Sequence, residues 1–61
     1  MEKFHSVFAY SYNRSGVIVY GIDKGGYSVH QLFVMYDSLA DIKRELKSHG
    51  VRGVSHMRKY A

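Results

Sequence analysis

"GIDKGGYSVHQLF" (residues 21–33) decides the fold, because it joins two strand-like runs through a tight turn. Upstream, "GVIVYGID" (16–23) is rich in β-branched and aromatic residues, and "YSVHQLFVMY" (27–36) downstream has the same character. Between them "DKGG" (23–26) supplies an Asp that can bond its own backbone and glycines that tolerate positive φ. The stretch reads as a β-hairpin. Working outward, "KFHSVFAYSY" (3–12) is a further strand, and "NRSG" (13–16) turns it into the run that follows. Three strands joined by two tight turns predict an antiparallel β-meander.

Past residue 36 the period changes. "SLADIKRELKSHG" (38–50) sets Leu39, Ile42 and Leu46 at helical spacing with charges between them. Ser38 and Asp41 form a start resembling a capping box, and Gly50 is a natural stop that would bring Val51 onto Leu46. Residues 51–60 are the candidate for a fourth strand at an edge. The fold class is therefore α+β: a three-stranded meander, one helix packed on one face, and a candidate C-terminal strand, all in a single domain spanning 1–61.

Turn lengths set the expected faces. With four-residue turns at 13–16 and 23–26, Tyr12 pairs with Val17, Tyr10 with Val19 and Phe8 with Gly21. By the same rule Ile22 pairs with Tyr27, Tyr20 with Val29 and Ile18 with Gln31. One face then carries Val7, Ala9, Ile18, Tyr20, Ile22, Val29, Phe33 and Met35, and the short helix is expected there. The opposite face carries Phe8, Tyr10, Tyr12, Val17, Val19, His30, Leu32 and Val34. A single helix covers one side only, and a large uncovered apolar patch marks an interaction surface. Phe8, Tyr10, Tyr12, His30 and Leu32 are accordingly the candidate partner-binding residues.

Composition limits the function classes. The 61 residues include no Cys and no Pro, and 46% are hydrophobic. Disulfides and cysteine-based zinc sites are excluded, and disorder is disfavoured. So short a chain buries only about 60% of its unfolded surface, so a partner subunit is the expected staple and a homodimer is expected. His5, His30, His49 and His56 show no HxH, HxxH or HxxxH spacing, so no metal or cofactor site is expected. Asp23, Asp37, Asp41 and Glu45 form no acid–base constellation with them by spacing, so an enzyme is not expected. No apolar run approaches the roughly 18 residues of a membrane span. With the lack of Cys, this leads to the expectation of a cytoplasmic protein without membrane contact.

The net charge is +4. Most of the excess lies in the second part, where Lys43, Arg44, Lys47, Arg52, Arg58 and Lys59 face Asp37, Asp41 and Glu45. These six cations are the candidate nucleic-acid contacts of an alternative reading, in which they bind phosphates.

Three resemblances bear on function. Lys24, Gly25 and Tyr27 resemble the RNP1 pattern of RNA-recognition domains. Gly26 displaces that pattern, however, and Val29 stands where an aromatic belongs; the turn accounts for each residue. "FVMYDSLADIKREL" (33–46) resembles the way plant AP2-type and integrase arm-binding DNA domains enter their helix. That resemblance implies DNA read by Arg and Lys on the exposed sheet face. In the expected register this face carries none, and Arg14 lies in the turn. The whole layout, with its size and lack of Cys and Pro, is similar to small accessory proteins of phages, some of which bind and inhibit a host enzyme. The leading expectation is a non-enzymatic regulatory protein that docks an aromatic sheet face or edge on another protein. The alternative is a basic nucleic-acid-binding module.

Overall fold

The computed structural model describes residues 3–34 and 38–60. Three strands run in sequence, β1 (Ser6–Asn13), β2 (Gly16–Ile22) and β3 (Ser28–Phe33). The helix α1 (Leu39–Ser48), a single 3-10 turn (Val54–His56) and a two-residue strand β4 (Arg58–Lys59) follow. The sheet order is β3-β2-β1-β4. The first three strands are antiparallel neighbours, and β4 runs parallel to β1. The expected α+β meander with one helix and a fourth, C-terminal strand is therefore present, although that strand is two residues long. Met35 and Asp37, both assigned roles above, lie outside the described residues.

Each turn forms for a local reason. The Asn13 side-chain oxygen accepts from the N–H groups of Ser15 and Gly16, at 2.8 and 3.0 Å. A Cβ at Gly16 would run into the Phe33 carbonyl, so the close approach of β3 needs a glycine here. At the second turn the Asp23 carboxylate accepts from the N–H groups of Gly25 and Tyr27, at 2.9 and 3.0 Å. The Asp23 N–H in turn reaches the Tyr27 carbonyl at 3.0 Å.

The helix ends follow the same local logic. The Ser38 hydroxyl oxygen caps the Asp41 N–H at 3.4 Å. At the other end Gly50, at φ 76°, donates to the Lys47 carbonyl at 3.0 Å, and Val51 donates to the Leu46 carbonyl at 3.1 Å. These two bonds make the Schellman pattern expected at Gly50. Ile42 and Leu46 are the helix's fully buried side chains. They join Phe4, Val7, Val17, Val19, Phe33, Val51, Val54 and Met57 in one core, with Tyr10, Val29 and Leu39 packed at its margin.

The register departs from expectation at two places, and together they decide the faces. The turn after β2 is one residue longer than expected, so Ile22 pairs with Ser28, Tyr20 with His30 and Ile18 with Leu32. Asp23 is the reason, because its carboxylate holds Tyr27 inside the turn. Along β1, Tyr12 pairs with Val17 and Tyr10 with Val19 as expected, but Val7 rather than Phe8 opposes Gly21. Phe8 is the extra residue of a β-bulge between Val7 and Ala9. Paired residues share a face. Val7, Tyr10, Tyr12, Val17, Val19, Val29 and Phe33 therefore lie on the helix side, with Tyr12 exposed at its margin, while Ala9, Ile18, Tyr20, Ile22, His30 and Leu32 face away from it. Along β2, and from Ala9 onward in β1, this reverses the expected faces, whereas Val7 and the β3 residues Val29, His30, Leu32 and Phe33 keep the sides expected of them.

Candidate functional site

The helix-free face is built from β2 and β3 residues and completed by the C-terminus. Cross-strand pairing sets Ile18 beside Leu32 and Tyr20 beside His30. Arg58 pairs with Ala9 and Lys59 with Tyr10, so consecutive β4 residues turn to opposite faces and Arg58 joins the helix-free one. Tyr60 follows on that face, tied back by its N–H to the Tyr10 carbonyl at 2.7 Å. Its ring meets that of Tyr20 with centroids 4.8 Å apart, and Tyr20 lies 6.1 Å from the His30 ring. The Tyr20 hydroxyl is within 3.2 Å of Ser11 Oγ, which fixes the ring's tip. Three rings and two aliphatic side chains thus form one surface, with Tyr60 53% and Leu32 41% exposed. Within this set β1 contributes only the small residues Ala9 and Ser11, leaving room for the rings.

Of the five residues picked from sequence for partner binding, His30 and Leu32 stand on this face. Phe8 sits in the bulge and is 43% exposed. Tyr10 and Tyr12 are corrected to the opposite face. Tyr10 packs against the core, and the two rings meet edge-on with centroids 5.7 Å apart. Lys59 Nζ lies over the Tyr12 ring at 5.6 Å. Sequence reasoning missed Ile18, Tyr20 and Tyr60. The signal that could have set the first two beside His30 and Leu32 was Asp23: as a side-chain cap of the turn it lengthens the loop by one residue and moves Tyr20 opposite His30.

The six basic candidates are divided among several surfaces. Lys43, Arg44 and Lys47 belong to α1, where Arg44 pairs with Asp41 at 2.9 Å. Arg52 forms a bridge to Ser6 beyond the other edge of β1, and Arg58 and Lys59 face opposite ways. Glu45 and His49 approach to 3.1 Å, but on the exposed surface of the helix. Among the described residues, no group of three or more His, Asp or Glu side chains could hold a metal. A shallow depression between the first turn and the start of α1 is walled by Tyr12, Arg14, Ser38 and Leu39 among others, and none of the described residues lining it carries a carboxylate or an imidazole. No helix among the described residues is long and apolar enough to cross a membrane.

Comparison with protein-family models, with curated proteins and with solved structures finds no match to this chain.

Proposed function

We propose that the chain is a non-enzymatic, regulatory binding protein that docks its helix-free sheet face on a protein partner and works in the cytoplasm as a homodimer. One observation carries the reading: a 61-residue chain with little core leaves Ile18, Tyr20, Leu32 and Tyr60 together and incompletely buried. Tyr side chains give large contact area for little lost rotamer freedom, and interfaces concentrate their energy in such residues. A single Arg at the margin, Arg58, suits a polar rim around that centre.

The test is capture of the partner by the wild type and by Tyr20→Ala/Tyr60→Ala. The double variant is expected to lose about 2 kcal/mol or more, roughly thirtyfold in affinity. Circular dichroism should show the fold retained, because neither ring belongs to the core. Undiminished capture sinks the proposal.

A second reading has one observation in its favour. The ring cluster shares its face with Arg58, and none of the described carboxylates, Asp23, Asp41 and Glu45, lies on that face. Base stacking on Tyr20 and Tyr60 with phosphate contact at Arg58 would suit a single strand. Gel shifts at two salt concentrations separate the readings, because phosphate binding weakens steeply with salt and an apolar interface does not. Charge reversal at Lys43, Arg44 and Lys47 should barely affect protein docking through this face.

A further inference from the structure

The two edges of the sheet end differently. Outside β1 the returning chain takes up backbone groups: the Val7 N–H bonds the Arg52 carbonyl at 2.9 Å, and the Arg52 N–H bonds the His5 carbonyl at 3.1 Å. Among the described residues no strand lies outside β3. The ladder gives the direction of the β3 backbone. The Ile22 carbonyl accepts from the His5 N–H, so Ile22, Tyr20 and Ile18 turn their backbone groups toward β1. Gly21, Val19 and Val17 turn theirs toward Val29, Gln31 and Phe33. Ser28, His30 and Leu32 are left with N–H and C=O groups pointing outward, in a strand that has no bulge, proline or charged residue of its own.

The charge around that edge has one sign. Lys3 Nζ stands at its middle, 3.5 Å from the His30 carbonyl. Lys24 lies in the turn that leads into β3. Toward the other end, Arg14 lies in the turn that closes at Gly16, against which the Phe33 carbonyl rests. All three residues are exposed, and among the described residues none of them pairs with a carboxylate. The Asp23 carboxylate, beside Lys24 in sequence, is taken up by two N–H groups of its own turn.

We infer that the outer edge of β3 binds an extended acidic segment of another protein, which adds to the sheet as a further strand. Two separate features select this occupant. Outward N–H and C=O groups at every second residue match an extended main chain, whose hydrogen bonds supply affinity. The cations at the middle and both ends then favour carboxylate side chains among extended segments. A second copy of this chain, at +4, brings the same cations to the edge and is repelled there.

Lys3 does not block the edge. A carbonyl oxygen has two lone pairs, so that of His30 accepts an incoming N–H and keeps the ammonium, which is then placed to meet a carboxylate of the added strand. The added strand continues both sheet faces. Its side chains on the helix-free side lie beside His30 and Leu32, both exposed, so apolar residues belong at alternate positions.

The inference goes beyond docking on the helix-free face, and its test separates the two. A displayed library of random peptides about ten residues long is selected on the full chain, and the binders are measured as synthetic peptides. They should be rich in Asp and Glu, with apolar residues at alternate positions, and should bind more weakly as salt rises. Hydrogen exchange at the Ser28, His30 and Leu32 amides should slow about tenfold or more in the complex. Lys3→Gln/Arg14→Gln/Lys24→Gln should weaken binding about tenfold. His30→Pro should abolish it in a folded chain, since the lost N–H points away from β2. If circular dichroism shows that variant unfolded, N-methylated peptides decide: methylation at alternate positions should abolish binding in one frame and spare it in the other. A library without binders, or binders without acidic enrichment, overturns the inference. So does binding that leaves the three amides unprotected. Binding lost in Tyr20→Ala/Tyr60→Ala and kept in the triple Gln variant would seat the peptide on the helix-free face and overturn it. A chain that dimerises with those amides already protected would give the edge to a second copy and also overturn it.

Discussion

On the helix side of the sheet Val17, Val19 and Phe33 are buried, whereas Ile18, Tyr20 and Leu32, next to them in the same strands, stay half-buried or exposed. Both sets are apolar or aromatic, so hydrophobicity alone does not choose between them. Shape does more. The helix side offers Val7, Val17, Val19 and Phe33 together with Gly21, over which the Phe4 ring lies directly, and Ile42 and Leu46 pack among them. The other side offers rings with polar tips that lean on one another and leave their edges to solvent. A sheet with two greasy faces and one helix has to leave one of them for something else.

The contrast can be broken most severely at Leu46, which is fully buried. Leu46→Ala is expected to cost about 2–5 kcal/mol in urea unfolding. Ile18→Ala, on the opposite face, should cost about 1 kcal/mol or less because its cavity opens to water. Equal losses would mean the two faces are not distinguished as described. The next effect in size is expected at Gly21, where a Cβ would meet the Ser6 carbonyl and the Phe4 ring. Gly21→Ala should cost about 1–3 kcal/mol by overpacking, seen as an earlier thermal transition.

Ser38→Ala should cost about 1 kcal/mol through the lost cap of α1, and Ser38→Asp should largely restore it. A melt unchanged by Ser38→Ala would show that packing alone holds the helix start. The smallest effect is expected at Arg44, whose pairing with Asp41 is exposed. Arg44→Ala should shift stability by about 0.5 kcal/mol or less, and salt should remove the difference. A larger loss would mean the outer helix surface contributes more than its exposure suggests.

Several parts of this arrangement were legible in the sequence. The helix between Ser38 and Gly50 was readable because its signals are local: a hydroxyl cap, apolar residues at helical spacing and a glycine stop. Both turns were readable from Asn13, Gly16, Asp23 and Gly26 for the same reason. Of the candidate surface, His30 and Leu32 were placed on the correct face and Tyr10 and Tyr12 were not. Tyr60 went unrecognised because its position depends on where the chain returns after the 3-10 turn. That path is set by the burial of Val54 and Met57 in the core, which no short-range pattern announces.

The sequence by itself determined the inventory of elements, their order and the local chemistry of each turn and cap, because those depend on residues within a few positions of one another. Only the tertiary structure decided which sheet face the helix covers. Side chains alternate with a period of two, so one extra residue reverses every later assignment on a strand. Two such residues occur here, Phe8 in the β1 bulge and Tyr27 held in the turn by Asp23. The bulge brings Val7 and Tyr10 to the same side, where β1 can close the core around Leu46. That choice is made by packing between residues distant in sequence. The chain states both halves of the alternation equally well, and the core takes one.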